Sequence, residues 1–194
     1  PPGTGKTQVS ATIVYHLIHM HPKSQVLVCA PSNVAVDHLC EKVAKTGLNV
    51  VRVVAKSREG IESSTDKYAL HNLVREFCNS AHRFSELNKL FKLRDTTGML
   101  NESDKRRFAK LCGEVERLIL EEADVVCATC VSVADNRLAN YRFKFCLIDE
   151  CTHAQEPECI IPLVTGVKQA ILVGDHCQMR PVVLSKAADE AGLG

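Results

Sequence analysis

Pro1-Pro2-Gly3-Thr4-Gly5-Lys6-Thr7 has the residue types and spacing of the closing part of a phosphate-binding loop, G-x-x-x-x-G-K-[ST], without its first glycine. The glycines let the backbone curl so that successive N–H groups converge on phosphate oxygens, and a helix opening at Lys6 adds its positive end. Lys6 would place a cation on the β- and γ-phosphates, and Thr7 a hydroxyl on Mg²⁺. Pro2, Gly3, Thr4, Gly5, Lys6 and Thr7 are thus the candidate nucleotide-binding residues. A glycine turn without a ligand is the plainer reading, and the apolar helical segment behind the loop weighs against it.

A second group is Cys146-Leu147-Ile148-Asp149-Glu150, an apolar run ending in two carboxylates. At the C-terminal edge of a parallel strand, Asp149 would face the Mg²⁺ shell, and Glu150 could orient and deprotonate a water for in-line attack on a γ-phosphate. Adjacent acids after a strand are common alone; with the loop they make a nucleoside triphosphatase the default. The third group, Ile171-Leu172-Val173-Gly174-Asp175-His176-Cys177-Gln178, runs from a strand into a polar turn. An amide there can bond to a γ-phosphate oxygen or the attacking water, so Gln178 is a candidate sensor of the triphosphate. His176 could bind or titrate, and a surface histidine without a role explains it equally well.

Positioning these groups requires strands and helices in alternation. Gln25 to Ala30, Val50 to Ala55, Asp124 to Thr129, Phe143 to Asp149 and Gln169 to Gly174 read as strands buried on both faces, being apolar with little alternation. After Lys6, Val9, Ile13, Leu17 and Met20 make one helical stripe that Ala11, Val14 and Ile18 widen, so that helix should be buried on most sides. After Asn33, Val36, Leu39, Cys40 and Val43 recur at helical spacing before Gly47. This order is that of an α/β fold, a RecA-like phosphate-loop domain with a parallel sheet. Because residue 1 already lies inside a motif that ordinarily follows a strand, we expect a piece of a longer polypeptide whose first strand is missing, with no signal or transit segment. An open sheet edge of that kind should favour instability or self-association.

Residues 56–122 interrupt the alternation. They are dense in both signs of charge and hold Tyr68, Phe77, Phe84, Phe91 and Phe108. Three helical stripes are visible: Leu70, Leu73, Val74 and Phe77; Phe84, Leu87, Leu90 and Phe91; and Phe108, Leu111, Cys112, Val115, Leu118 and Ile119. Gly98, followed by Asn101 and Ser103, marks the turn and helix start before the last. The expected organisation is a motor domain made of 1–55 and 123–194, with a helical insertion at 56–122 whose aromatics form their own core. Core packing explains Phe84 and Phe91 better than stacking on nucleic-acid bases.

With 24 Lys+Arg against 23 Asp+Glu the formal net charge is +1, so nucleic acid cannot be inferred from bulk charge and would need a local groove or backbone amides. No apolar run approaches a membrane span, and no membrane partner is expected. Several of the ten cysteines, Cys29, Cys127, Cys130 and Cys146 among them, sit in strand-like runs, which suits reduced, buried thiols in an intracellular compartment. Cys127-Ala128-Thr129-Cys130 has the spacing of half a zinc site, but no second pair accompanies it, and His19-Met20-His21 is weaker still.

Four further stretches resemble the motifs of superfamily 1 helicases: Ala30-Pro31-Ser32-Asn33-Val34-Ala35-Val36-Asp37; Ala128-Thr129-Cys130-Val131; Asp149-Glu150 with Gln155-Glu156-Pro157-Glu158; and Gly174-Asp175-His176-Cys177-Gln178. Through Ser10 to Leu17, Val51-Arg52, Ala55 to Glu59, Ala69 to Asn72 and Leu172 to Gln178 the chain is similar, more narrowly, to the up-frameshift RNA helicases of nonsense-mediated mRNA decay. The likeness spans nearly the whole chain and is weakest at about residues 78 to 110. It implies an ATP-driven translocase with 5′-to-3′ polarity on single-stranded RNA or DNA, working in the cytoplasm with possible nuclear shuttling, and partnered by mRNA decay factors. It implies that Lys6, Asp149, Glu150 and Gln178 serve catalysis, that Thr7 and Asp149 hold Mg²⁺, and that Pro31, Ser32, Asn33, Thr129 and Val131 line the nucleic-acid path.

Two places depart from the family pattern. Cys151-Thr152-His153 stands where Ser-x-Gln or Ser-Thr-Gln is usual, so a hydrogen bond made by that glutamine is lost or passes to His153. Met179-Arg180 replaces Leu-Gly, with Arg180 read first as a solvated charge. The resemblance also implies a second motor domain with an arginine finger, which these residues do not contain, so the chain alone should hydrolyse ATP negligibly. A superfamily 1 relative acting on DNA or RNA–DNA hybrids, an ATP-regulated RNA-binding scaffold, and a phosphate-loop ATPase of another kind are the competing readings.

Overall fold

The computed structural model describes residues 3–80, 82–178 and 180–193; Pro2 and Met179, both singled out above, lie outside the described residues. Strands at Val26–Ala30 (β1), Val50–Arg52 (β2), Val125–Thr129 (β3), Phe145–Ile148 (β4) and Gln169–Leu172 (β5) form one parallel sheet in the order β2-β3-β1-β4-β5. Each lies inside an expected run and is shorter than it. Every residue of β1, β3 and β4 is buried, which explains why those runs are apolar without alternation. This is the α/β, RecA-like arrangement expected from the sequence.

Side chains alternate across the pleat and divide the interior in two. On one face Val26, Val28, Ala30, Val125, Cys127, Phe145 and Leu147 pack against the helices Lys6–Met20 (α1) and Asn33–Ala44 (α2). On the other, Leu27, Cys29, Val51, Val126, Ala128, Cys146 and Ile148 meet the helices Leu70–Ser80 (α3), Ser85–Thr97 (α4) and Glu102–Glu122 (α5), while Cys159, Ile161 and Leu163 of Glu156–Leu163 (α6) pack at its margin.

The helices of 56–122 therefore do not keep a core to themselves. Leu70, Val74, Leu87, Phe91, Val115 and Leu120 share one cluster with the sheet residues. The stripes that the sequence shows are the buried stripes, but their amphipathic faces have the open side of the sheet to cover, and covering it removes more apolar surface from water than closing on each other. Phe84 and Phe91 are buried, as core packing requires. Gly98, in the left-handed region at φ 75°, ends α4, and Asn101 starts α5 by accepting a hydrogen bond from the Asp104 N–H at 2.8 Å. The far end of α5 is fixed by amides from the sheet: Gln25 Nε2 donates to the Leu120 and Ala123 carbonyls at 2.6 and 2.8 Å, and Asn49 Nδ2 to that of Glu122 at 2.8 Å. The insertion is thereby anchored to the strands it interrupts.

Three expectations change. The buried stripe of α1 is Ser10, Ala11, Val14, Leu17 and Ile18, whereas Val9 and Met20 are exposed and line a shallow apolar groove with Ile13 and His16. The sheet meets only one face of this helix, and spacing alone did not say which of two apolar stripes would win it. β5, expected to be covered on both sides, has Gln169, Ala170 and Leu172 exposed, because it is an edge strand on which no described helix packs squarely. Its apolar character is that of an interior strand in an exterior position. Lastly, Cys127 and Cys130 belong to opposite faces of the sheet, Cys127 beside Cys40 and Cys130 beside Cys29, so they cannot share a metal. All ten cysteines are free thiols. No described helix is long and apolar enough to cross a membrane.

Candidate functional site

The C-terminal ends of the strands bring the sequence-predicted groups to one edge. α1 opens from Gly5, whose φ of 80° places it in the left-handed region, and Gly3 lies there too at 74°. These are the two positions where the loop needs glycine. No side chain caps α1 among the described residues and no acid occupies its first turn, so its leading N–H groups keep the positive field an anion would meet. Gly3, Thr4 and Gly5 are exposed, whereas Lys6 and Thr7 are half-buried and turn toward the sheet.

Asp149 follows β4 directly and is 2% exposed. Its N–H donates to the Cys29 carbonyl at 2.9 Å, extending the β1–β4 pairing by one residue, and its Oδ1 accepts from the Glu150 N–H at 3.1 Å. Burial, with the Glu150 charge beside it, pushes the Asp149 carboxyl above the usual carboxylate range. The Glu150 N–H, the Thr7 hydroxyl and the Lys6 ammonium pull the other way and do not prevail. Lys6, Thr7, Asp149 and Glu150 thus meet although the loop and the acids lie far apart in sequence. A hydroxyl and a carboxylate sharing one hydrogen bond are a hard-oxygen pair that suits Mg²⁺.

The turns after β4 and β5 are laced together. Cys151 N–H donates to the Val173 carbonyl at 3.0 Å, and Thr152 Oγ1 both accepts from the Asp175 N–H and donates to the Asp175 carbonyl, each at 3.3 Å. Gly174 packs closely here, since a Cβ on it would stand 3.0 Å from Cys151 Sγ and from Thr152 Cγ2 and Oγ1, and those side chains would have to shift to admit it. Gln178 Nε2 donates to Asp175 Oδ2 at 2.8 Å, and this amide, with the Cys177 N–H, holds the Asp175 carboxyl well below its ordinary value. Gln178 is therefore positioned by its own turn, which follows β5, the neighbour of the strand that Asp149 follows.

The candidate nucleic-acid residues sit over the neighbouring strands, where Ala30 of β1 is in register with Thr129 of β3. Ser32 caps α2, its Oγ accepting from the Ala35 N–H at 3.2 Å, and Thr129 donates to Ser132 Oγ at 2.7 Å while accepting from the Ser132 N–H at 3.2 Å. The hydroxyls of Ser32 and Thr129 are thus spent on shaping their loops; Val131, 53% exposed, and the half-buried Pro31 and Asn33 are the surface those loops present.

Behind this surface stand residues whose roles the sequence did not reveal. Arg52, 1% exposed at the end of β2, donates from Nε to Asp37 Oδ1 at 2.8 Å, from Nη1 to the Val53 carbonyl at 2.8 Å and from Nη2 to Asn33 Oδ1 at 2.9 Å. Asp37 also accepts from Ser63 and Thr65. Because Asn33 Oδ1 faces Arg52, its amide nitrogen is turned away from that interior. Arg137 similarly ties Asp135 to Glu59 and to the Val54 carbonyl. Burial would raise the Asp135 carboxyl, but its hydrogen bonds from Arg137 outweigh that and hold it low. A charge inside Val50-Val51-Arg52-Val53-Val54 is a signal that a buried partner exists; Arg137 has no such local signal.

A family described as "AAA domain" matches residues 1–110 and 85–186. The chain belongs to this AAA-domain family. Along its full length it is 56% identical to a protein named "Regulator of nonsense transcripts 1 homolog" from Neurospora crassa, 55% to one of the same name from Arabidopsis thaliana and 56% to "ATP-dependent helicase NAM7" from Saccharomyces cerevisiae. The chain spans only 17%, 15% and 19% of those relatives. A nuclease-deletion mutant of a Type ISP restriction-modification enzyme superposes on 100% of this chain and 16% of its own at 15% identity, with a TM-score of 0.49, which adds nothing on function. The matched residues include both the loop at Gly3 to Thr7 and the Asp149-Glu150 pair.

Proposed function

We propose that the chain is part of the first motor domain of an ATP-dependent RNA helicase with 5′-to-3′ polarity that acts in nonsense-mediated mRNA decay in the cytoplasm. Its ligands are Mg-ATP and single-stranded RNA, and its partners are a second motor domain of the same polypeptide and mRNA decay factors. On this reading 1–55 and 123–194 are the motor, and 56–122 is an insertion leaning on its sheet. The observation that carries the proposal is the meeting of Lys6, Thr7, Asp149 and Glu150 on one sheet edge, next to the loops after β1 and β3. The names of the relatives favour RNA surveillance over other helicase work.

In this mechanism the N–H groups opening α1 and the Lys6 ammonium bind the phosphates. Thr7 and Asp149 hold Mg²⁺, which when bound neutralises charge on the phosphate oxygens. Glu150 orients a water and takes its proton, Gln178 meets the γ-phosphate side of the cleft, and Pro31, Asn33 and Val131 support the strand of nucleic acid. Hydrolysis that reshapes the turn after β5 moves the Glu150 turn with it, because the two are bonded through Cys151 and Thr152.

The test is steady-state ATPase of the complete natural polypeptide without nucleic acid, with single-stranded RNA and with DNA of equal length, using Glu150→Gln as the blank. Stimulation by RNA that vanishes in the blank supports the proposal. Preference for DNA transfers it to a DNA-acting relative, and turnover indifferent to both polymers overturns it.

A further inference from the structure

Glu150 is the one non-glycine residue at positive φ among the described residues, at 52°. It opens the 3₁₀ turn Cys151–His153, and that turn brings His153 back over it, the His153 N–H donating to the Glu150 carbonyl at 2.9 Å. The side chains repeat the approach. His153 Nε2 stands 3.7 Å from Glu150 Oε2, both atoms are buried, and neither has a hydrogen-bond partner. Two orphaned polar atoms facing each other cost about 1–3 kcal/mol apiece, a penalty that persists in a native site when the pair is poised for a contact made in another state. A closure of about 0.7 Å would bring them to ordinary hydrogen-bond distance.

We propose that His153 is a positioning residue for Glu150. With its proton on Nε2, the imidazole donates to Glu150 Oε2 as the site closes on nucleotide and fixes the plane of the carboxylate, so that Oε1 is the oxygen facing the attacking water. The inference deepens the reading of Glu150 as the base and rests on it. The imidazole keeps its place beside Glu150 because its turn is tied to the turn after β5: Cys151 and Thr152 are bonded to Val173 and Asp175, and Gly174 packs closely against them. Without the donor the carboxylate is free to rotate about its last torsion, and misplacement of a reacting group by about 1 Å costs on the order of 10²-fold in rate.

The experiment uses the complete natural polypeptide with saturating single-stranded RNA and reads kcat and KM for ATP separately, with thermal melting as a check on folding. His153→Phe keeps a ring without a donor; kcat should fall about 10- to 100-fold while KM for ATP stays within about twofold. His153→Gln restores an N–H donor and should recover kcat to within about threefold of the parent. Added to Glu150→Gln, His153→Phe should cost nothing more, because the basic carboxylate whose orientation it sets is gone even though the amide oxygen can still accept a hydrogen bond. The inference is overturned if His153→Gln is as slow as His153→Phe, if KM rises in place of the loss in kcat, or if the double variant is slower than Glu150→Gln. Unimpaired turnover by Glu150→Gln is a different result: it removes the base reading itself, whatever His153 does.

Discussion

The two halves of this sheet edge treat charge in opposite ways. Beside β1 and β3, the Arg52 and Arg137 side chains are almost wholly buried, and each is bonded to at least one carboxylate and to a backbone carbonyl. Over β4, the Asp149 carboxyl is held where its charged form is disfavoured, Glu150 is wound into the left-handed region, and Glu150 and His153 face each other unbonded. A buried charge that only shapes a loop must have its partners, because losing one costs about 3–5 kcal/mol. Groups that must meet a ligand are better left short of partners, with the strain held by the packing around them. The half over β1 and β3, which the proposed function gives to nucleic acid, is therefore built as scaffold, and the half over β4, which it gives to nucleotide, keeps polar groups short of partners.

The largest expected effect separates the halves by ligand. Lys6→Ala should weaken Mg·ATP binding by at least about 10²-fold, read with a fluorescent nucleotide, while thermal stability changes by no more than about 1 kcal/mol. A variant that unfolds would show Lys6 to be scaffold and erase the distinction. Arg52→Ala should do the reverse, lowering the free energy of urea unfolding by about 3–5 kcal/mol, since Asp37 and Asn33 lose their shared donor inside the protein. A loss below about 1 kcal/mol would mean that this network stabilises the fold no more than an exposed ion pair does.

Gly174→Ala probes the seam where the turns after β4 and β5 touch. Its Cβ would crowd Cys151 and Thr152, and a destabilisation of about 1–3 kcal/mol is expected by the same denaturation assay, with a neutral result showing that the turns can part freely. The smallest effect has the opposite sign. Because the folded-state value of the Asp149 carboxyl is raised, the folded protein binds that proton more tightly than the unfolded chain. Its contribution is fully present in acid, below the unfolded value, and is lost as pH rises through the raised one. Asp149→Asn should accordingly stabilise the fold at pH 7, read as a rise in Tm, and the gain should shrink toward acid while Mg·ATP binding is lost. A loss of stability at pH 7 would place Asp149 with the scaffold charges.

Much of this was visible in the sequence because it is local. The loop glycines, the apolar runs of β1, β3 and β4, the Asp149-Glu150 pair and the Gly98 and Asn101 helix signals each depend on a few adjacent residues obeying backbone sterics and side-chain periodicity. What failed to show depends on partners far along the chain. The apolar residues of β5 and the Val9 stripe of α1 look interior by composition and are exposed, since burial belongs to whichever surface arrives to cover them. The helices of 56–122 read as a self-contained unit until the sheet face they cover is seen.

By itself, then, the sequence determined the types of element, their order and which residues carry the functional groups that the proposed function uses, because period, turn chemistry and functional-group identity are properties of short segments. Tertiary structure alone decided that α1 turns Val14 to the sheet and Val9 to solvent, that Asp37, Asn33 and Ser63 close around Arg52, and that Glu150 and His153 stop short of bonding. Those outcomes are set by distances between residues that local conformation does not fix, and a difference of less than an ångström separates a bonded scaffold charge from a group poised to act.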